Sequence, residues 1–254
     1  KEYTFLNYLR CHDDIGWGLD YATLSEWGMK EVPHKKYLND YFQGRTEGSV
    51  SRGELYNEDP VTGDARFCAT TASMCGIESA GFEQDEEKME RAVVKDIMLH
   101  AYMFTQSGIP MLYSGDEIGQ VNDYTYKDDP DKAPDSRYIH RGKFCWDLAE
   151  NIEKKGSVQE KIFHALTRLE EIRRNDAVFS ADAEVYTKDY SDTSILWIVR
   201  KAEGRELHAV FNFSDEEKEI WMPEVTDYTD LLTGKREVIE KTRLQSWGFL
   251  WLER

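Results

Sequence analysis

Two short apolar runs separated by a long helical pattern constrain the fold of this chain more than any other feature. The runs lie at residues 3–9 and 109–113, and a second helical pattern follows a capping box formed by Ser157 and Glu160. Strands that alternate with helices form parallel sheets, because the crossover between parallel strands usually contains a helix. The sequence up to about residue 180 therefore predicts an α/β fold with a parallel sheet.

The pattern changes after residue 180. Five short β-like runs follow, with turn signals between them, at residues 195–199, 207–213, 219–222, 236–239 and 244–252. Short strands separated by turns typically form antiparallel sheets or sandwiches. We therefore predict two domains, an α/β part at residues 1–180 and an antiparallel β-sandwich domain at residues 181–254.

The charge and the cysteine content of the chain exclude several classes of protein. The 49 acidic and 32 basic residues give a net charge of −17, which repels phosphate backbones, so we expect no nucleic-acid partner. An apolar run of about 18 residues is absent, so we expect no membrane partner. The four cysteines form no CxxC pair, which disfavours a zinc site, and Cys68 and Cys75 are predicted as core residues. Few cysteines and no basic, apolar leader favour a cytoplasmic protein.

Each apolar run leads into a polar excursion that is too long for a plain connection. The first excursion follows His12-Asp13-Asp14 and occupies residues 15–66, and the second occupies residues 118–147. Helical patterns lie at residues 21–29 and 34–42, and Asp64 is predicted to cap a helix over about residues 66–79. Excursions of this length are usually functional, and in an α/β barrel the loops that follow the strands converge on the active site.

The carboxylates near this site do not by themselves define a catalytic pair. Neighbouring strand residues point to opposite faces, so only one of Asp13 and Asp14 can face the site. Retaining glycosidases need two carboxyl groups about 5.5 Å apart on separate elements. His12-Asp13-Asp14 could equally end a strand and cap a turn. Glu117 is better explained as a turn residue whose carboxylate accepts backbone N–H groups.

Several collinear motifs resemble the α-amylase superfamily of glycoside hydrolases (family 13), and within it the amylosucrase and sucrose hydrolase branch. The run that ends in His12-Asp13-Asp14 resembles the motif of the seventh barrel strand. Residues 48–53 and 60–66 resemble the insertion after that strand. Residues 113–119 resemble the eighth strand and its turn, and residues 135–141 resemble a loop that supplies an arginine. The resemblance implies that residues 1–180 form the C-terminal part of a (β/α)8 TIM barrel, with strands seven and eight, and that residues 181–254 form the C-terminal β-sandwich.

The resemblance implies a retaining α-glucosidase or glucosyltransferase that acts on sucrose or a related α-glucoside and needs no metal or other cofactor. Asp13 matches the carboxylate that stabilises the transition state, and His12 matches an imidazole that contacts the glucosyl ring. Asp14 and Arg66 match the acceptor subsite, and Arg141 matches an arginine that pairs with an acidic residue at the base of the glucosyl pocket.

Departures from the amylosucrase pattern lie on the acceptor side. Asn57 and Asp59 replace the Gln and Asn that amylosucrases typically have, and Lys35 replaces a typical Arg. We predict Asn57 and Asp59 as substrate-binding residues. These departures disfavour polymer synthesis from sucrose and leave hydrolysis or a shorter transfer reaction open.

In this family the nucleophilic Asp and the acid/base Glu follow strands four and five, which the resemblance places before Lys1. The resemblance therefore implies a fragment that is inactive alone and whose structural partner is the N-terminal half of the barrel. Two alternatives remain open. One is a catalytically inactive carbohydrate-binding or interaction module with the same fold. The other is a hydrolase that pairs Asp13 with Glu117 and needs no other carboxyl group.

Overall fold

The computed structural model describes residues 3–254, which form two compact units. The first, called the sheet unit, contains the chain up to Leu9 together with Val94–Met111 and Lys161–Arg254. The second, called the loop unit, contains Arg10–Val93 and Leu112–Glu160. The predicted division of the chain at residue 180 stays a prediction. Among the described residues, none of the helices is both long and apolar enough to cross a membrane.

The strands and helices of the described chain have the following bounds. The strands are β1 Leu6–Asn7, β2 Ile15–Gly16, β3 Glu54–Tyr56, β4 Arg66–Cys68, β5 Ile109–Pro110, β6 Glu184–Lys188, β7 Ile195–Ala202, β8 Arg205–Asn212, β9 Lys218–Asp230, β10 Arg236–Leu244 and β11 Phe249–Glu253. The α-helices are α1 Tyr21–Glu26, α2 Glu31–Phe42, α3 Thr71–Cys75, α4 Ile77–Glu83, α5 Glu86–Thr105, α6 Trp146–Ala149 and α7 Val158–Asn175. Short 3-10 helices include Asp116–Ile118 and Ser136–His140.

Two of the predicted apolar runs form a parallel pair in the sheet unit. β1 pairs with β5, and Leu6 lies opposite Ile109. The pair confirms the predicted parallel arrangement, but each strand is only two residues long. The apolar run at residues 3–9 is largely exposed in the described chain. Tyr3 is 88% exposed and Phe5 is 75% exposed, because β1 pairs along one edge only within the described residues.

A six-stranded antiparallel sheet forms most of the remaining sheet unit, in the order β10-β9-β11-β8-β7-β6. Four predicted β-like runs correspond to β7, β8, β9 and β10. The fifth, residues 244–252, is not one strand, since Leu244 ends β10 and a turn with Trp247 at a φ of 51° precedes β11. β6 was not predicted, because four of its five residues are exposed and give no apolar alternation.

Helix α7 has the Ser157 cap and the buried face that the sequence predicted, while the Glu160 carboxylate accepts the N–H of Gly156 instead of that of Ser157. The Ser157 hydroxyl accepts a hydrogen bond from the Glu160 N–H at 3.0 Å. The buried residues of the helix are Ile162, Leu166, Leu169 and Ile172.

Arg200 of β7 is also buried in the sheet unit and donates to the carbonyl oxygens of Val178 and Thr105. The strand is thereby joined to the end of α5.

The loop unit contains a small antiparallel sheet in the order β2-β4-β3. The helix predicted over residues 66–79 is wrong in its first part, because Phe67 and Cys68 are fully buried as part of β4. Asp64 caps no helix there. Thr70 is the residue that caps α3, by accepting from the Ser73 N–H at 3.2 Å. Cys75 is buried as predicted.

Candidate active site

Asp13 lies in the chain segment that connects β1 to β2. Its carboxylate is half exposed and is held in its ionised form. Its Oδ1 accepts the backbone N–H of Asp14 at 3.1 Å and lies 3.3 Å from Nη1 of Arg137. The N–H of Asp14, together with the charge of Arg137, holds the pKa of Asp13 below its usual value. A carboxylate with this environment stays negatively charged at neutral pH.

Arg137 forms an ion pair with Asp13, and its own side chain is held in place by further contacts. Its Nε and Nη2 donate to the two carboxylate oxygens of Asp135 at 2.9 and 2.8 Å. Its guanidinium stacks on Tyr56, 4.5 Å from the ring centroid. Sequence reasoning singled out Arg141 in this loop and missed Arg137. The Asp-x-Arg spacing at residues 135–137 is the signal that could have found it, since Asp135 also caps the 3-10 helix by accepting the Arg137 N–H.

The 3-10 helix Ser136–His140 is anchored against the small sheet of the loop unit. Ile139 is fully buried and packs in one cluster with Cys68 and Tyr126. The Ser136 hydroxyl donates to the carbonyl oxygen of Leu55 at 2.8 Å. Burial raises the pKa of the Cys68 thiol to about 12, which keeps this thiol neutral. The arginine loop is therefore positioned by the β3–β4 hairpin.

The backbone of His12 is held by two side chains, whereas its own imidazole is exposed. The His12 carbonyl oxygen accepts from Nε of Arg141 at 2.5 Å and lies 3.3 Å from Nε2 of His140. Arg141 also lies 3.9 Å from Asp135. The predicted role of Arg141 at the base of a glucosyl pocket stays a prediction.

Asp14 and Arg66 were predicted to share the acceptor subsite, and the structure places them next to each other. Arg66 Nε lies 3.7 Å from Asp14 Oδ1, and the Arg66 side chain is 51% exposed. Burial and the negative charge of Asp13 raise the pKa of Asp14, and the charge of Arg66 opposes this rise. Asp13 and Asp14 thus differ in electrostatic environment although they are neighbours.

Asn57 and Asp59 lie in the exposed turn after β3. Asp59 accepts the backbone N–H groups of Val61 and Thr62 at 2.8 and 3.3 Å, as a turn-capping residue does. Asn57 has a φ of 52°. Within residues 3–254, no hydrogen bond or ion pair joins either residue to Asp13. Their predicted role in substrate binding stays a prediction.

Glu117 and Asp116 have structural contacts. Glu117 Oε2 accepts the N–H of Gly115 at 2.8 Å, which supports its interpretation as a turn residue. Asp116 is buried, and its Oδ1 accepts from Nε of Arg10 at 2.8 Å. Sequence reasoning missed this buried ion pair. In the described part of the chain, groups of three or more His, Cys, Asp or Glu residues that could hold a metal are absent.

Comparisons with known proteins give curated relatives and a shared fold. No family model matches the chain. Glucosylglycerate phosphorylase of Escherichia coli (strain K12) is 27% identical over an alignment of 256 residues, which covers 98% of this chain. The chain spans 41% of the length of that relative.

Among solved structures, a variant of AmyP in complex with maltotriose superimposes with a TM-score of 0.52 at 15% identity, over 64% of this chain and 35% of that chain. AmyP in complex with maltose superimposes with a TM-score of 0.50 over the same shares. This likeness supports the predicted α-amylase-type fold, and the assignment of β1 and β5 as barrel strands seven and eight stays a prediction. The chain thus resembles the phosphorylase in sequence and AmyP in fold, and neither likeness selects the amylosucrase branch.

Proposed function

We propose that the chain forms part of a retaining α-glucosidase or glucosyltransferase in which Asp13 stabilises positive charge at the anomeric carbon. The observation that carries this proposal is the ionised, half-exposed carboxylate of Asp13, held by a backbone N–H and by Arg137. An anion that is fixed before the reaction lowers the barrier, because it needs no reorganisation as the oxocarbenium-like charge develops. The exposed imidazole of His12, one residue away, contacts the hydroxyl groups of the glucosyl ring.

Asp14 and Arg66 form the acceptor side of this site. Asp14 is the less acidic of the two neighbouring carboxyl groups. It pairs with Arg66, so we assign it to the acceptor side and not to the role of Asp13. The half-exposed guanidinium of Arg66 can contact an acceptor or leaving group with hydroxyl or anionic oxygens. Asn57 and Asp59 extend this side in the proposal.

The donor is an α-glucoside, and two compounds are worth testing first. The motif resemblance suggests sucrose. The name of the Escherichia coli relative suggests glucosylglycerate, with phosphate as the acceptor of the glucosyl group. The half-exposed side chain of Arg66 suits an anionic acceptor, because guanidinium groups bind carboxylate and phosphate by paired hydrogen bonds.

The nucleophile and the acid/base are assigned to other carboxyl groups of the parent protein. Double displacement needs two carboxyl groups about 5.5 Å apart across the scissile bond. Glu117 already accepts the Gly115 N–H, and Asp116 is buried against Arg10. The N-terminal half of the barrel, which the resemblance implies as structural partner, would supply the pair.

The test is the replacement of Asp13 by Asn in the full-length enzyme. Asp13→Asn should lower kcat by about 10²-fold, the usual loss for one transition-state electrostatic contact, with a much smaller change in KM. Asp129→Asn is the matched control, because it makes the same change in a turn carboxylate that contacts Lys132.

Near-normal turnover of Asp13→Asn would remove this residue from its assigned role. The rival function, a carbohydrate-binding module without activity, predicts sugar binding by the unmodified full-length protein but no turnover of either donor.

A further inference from the structure

We propose that His140 is a positioning residue for Asp13, because its imidazole holds the carbonyl group of His12 and thereby fixes the start of the Asp13 turn. The proposal rests on the proposed function of Asp13. It assigns to His140 a role that neither the motif resemblance nor the predicted site residues include.

The side chain of His140 is oriented as a neutral donor. His140 is 4% exposed, and its Nε2 lies 3.3 Å from the His12 carbonyl oxygen. A carbonyl oxygen can only accept, so the proton of the ring lies on Nε2 and Nδ1 carries the lone pair. Burial lowers the pKa of His140 to about 4, so the ring stays neutral at neutral pH.

The backbone of His140 is held as firmly as its side chain. Arg10 is buried and donates from Nη1 to the His140 carbonyl oxygen at 3.3 Å, while its Nε pairs with Asp116 at 2.8 Å. Segments 10–12 and 140–141 are therefore joined in both directions. Arg10 reaches from the first segment to His140, and His140 reaches back to the carbonyl of His12. The residues that precede Asp13 are thus fixed by His140 together with Arg141, which donates to the same His12 carbonyl oxygen, and this limits displacement of the Asp13 carboxylate.

A histidine at position 140 lowers the stability of the folded state, which is not expected of a residue with a purely structural role. Within the described residues, its Nδ1 is buried without a hydrogen-bond partner. Leaving a buried acceptor unsatisfied destabilises the folded state, and an apolar side chain of similar size would avoid this loss. Residues that break such a local rule are expected at functional sites. The contact with His12 is the one gain in hydrogen bonding that the imidazole makes.

The experiment compares three variants in the full-length enzyme. His140→Gln keeps an amide nitrogen near the position of Nε2, whereas His140→Leu has similar volume and no donor. His140→Asn is one methylene too short to reach the His12 carbonyl. We expect His140→Leu and His140→Asn to lower kcat by about 10-fold or more, with KM nearly unchanged. We expect His140→Gln to restore most of the loss. The melting temperature should not follow kcat, since His140→Leu also removes the unsatisfied Nδ1.

Each outcome separates this inference from the proposed function. If Asp13→Asn loses activity while His140→Leu keeps the wild-type kcat, the inference is overturned and the function of Asp13 stands. If Asp13→Asn keeps its activity, the proposed function fails first. If His140→Leu does not fold, His140→Asn decides, and equal kcat values of His140→Asn and His140→Gln would overturn the inference.

Discussion

Arg66 is the single side chain whose removal should separate glucosyl transfer from cleavage. Its guanidinium is half exposed beside Asp14, on the side of Asp14 assigned to the acceptor. Arg66→Ala should lower kcat/KM for transfer to a polar or anionic acceptor by about tenfold, the value of one hydrogen bond to a charged group. Cleavage of an aryl α-glucoside with a good leaving group should change by less than about twofold. Product analysis with both substrates measures the two effects.

Arg91→Ala is the matched control for Arg66→Ala, since Arg91 is an exposed arginine that pairs with Glu87 on helix α5. Equal losses on both substrates would mean that Arg66 supports the fold or the glucosyl side of the site. A loss confined to the acceptor reaction would support the assignment of Asp14 and Arg66.

Contacts between residues far apart in the chain mark the limit of sequence reasoning at this scale. The proximity of Asp14 and Arg66 was predicted, because both motifs resemble one subsite. The ion pair of Arg10 and Asp116 was not, since 106 residues separate its members. The contact between Arg137 and Asp13 was missed for the same reason. Residue types and local spacing say which side chains can pair, but only the folded chain selects partners over such distances.

At the scale of elements, the spacing of apolar residues predicted those elements that bury one face. Helix α7 buries the four residues that its spacing indicated. β4 was mistaken for the start of a helix, because small residues follow it and its pairing with β2 and β3 is not visible locally. β6 lacks an apolar pattern and pairs with β7 through its backbone, so its sequence carries little signal.

The strand pair β7–β8 contains a histidine that should make stability depend on pH. Trp197 Nε1 donates to Nδ1 of His208 at 3.1 Å in the buried face of the sheet. Burial lowers the pKa of His208 to about 4, and a proton on Nδ1 would break the bond from Trp197. The unfolded chain binds this proton near pH 6.5. The contribution of His208 is therefore fully present above about pH 6.5 and is lost as the pH falls toward 4.

We expect wild-type protein to lose about 2 kcal/mol more unfolding free energy than His208→Asn between pH 7 and pH 4.5. Denaturant titrations of both proteins at several pH values measure this difference. His140 has a similarly lowered pKa and remains in both proteins, so its effect cancels. Parallel pH profiles of the two proteins would show that His208 does not titrate with folding.

At the scale of the whole molecule, the carboxyl groups considered as partners of Asp13 are already held by other contacts. Asp135 binds Arg137, Asp116 binds Arg10, and Glu117 caps its own turn. Asp14 lies next to Asp13 and cannot stand across a scissile bond from it. Asp14, Asp116, Glu117 and Asp135 are therefore poor candidates for the nucleophile or the acid/base of a site at Asp13.

The last prediction is that this chain alone does not turn over α-glucosides. Retaining cleavage needs a nucleophile and an acid/base on separate elements, and the carboxyl groups held by other contacts are poor candidates for either partner of Asp13. The exposed apolar side chains at the β1–β5 pair, among them Phe5 at 75% exposure, should also cause the chain to associate in solution. The purified chain is incubated with sucrose, glucosylglycerate plus phosphate, and an aryl α-glucoside, while light scattering reports association. The chain with Asp13→Asn serves as the control for contaminating activity. Release of glucose or glucose phosphate well above that control would contradict the prediction, and loss of that release in Glu117→Gln would then make Glu117 the catalytic partner of Asp13.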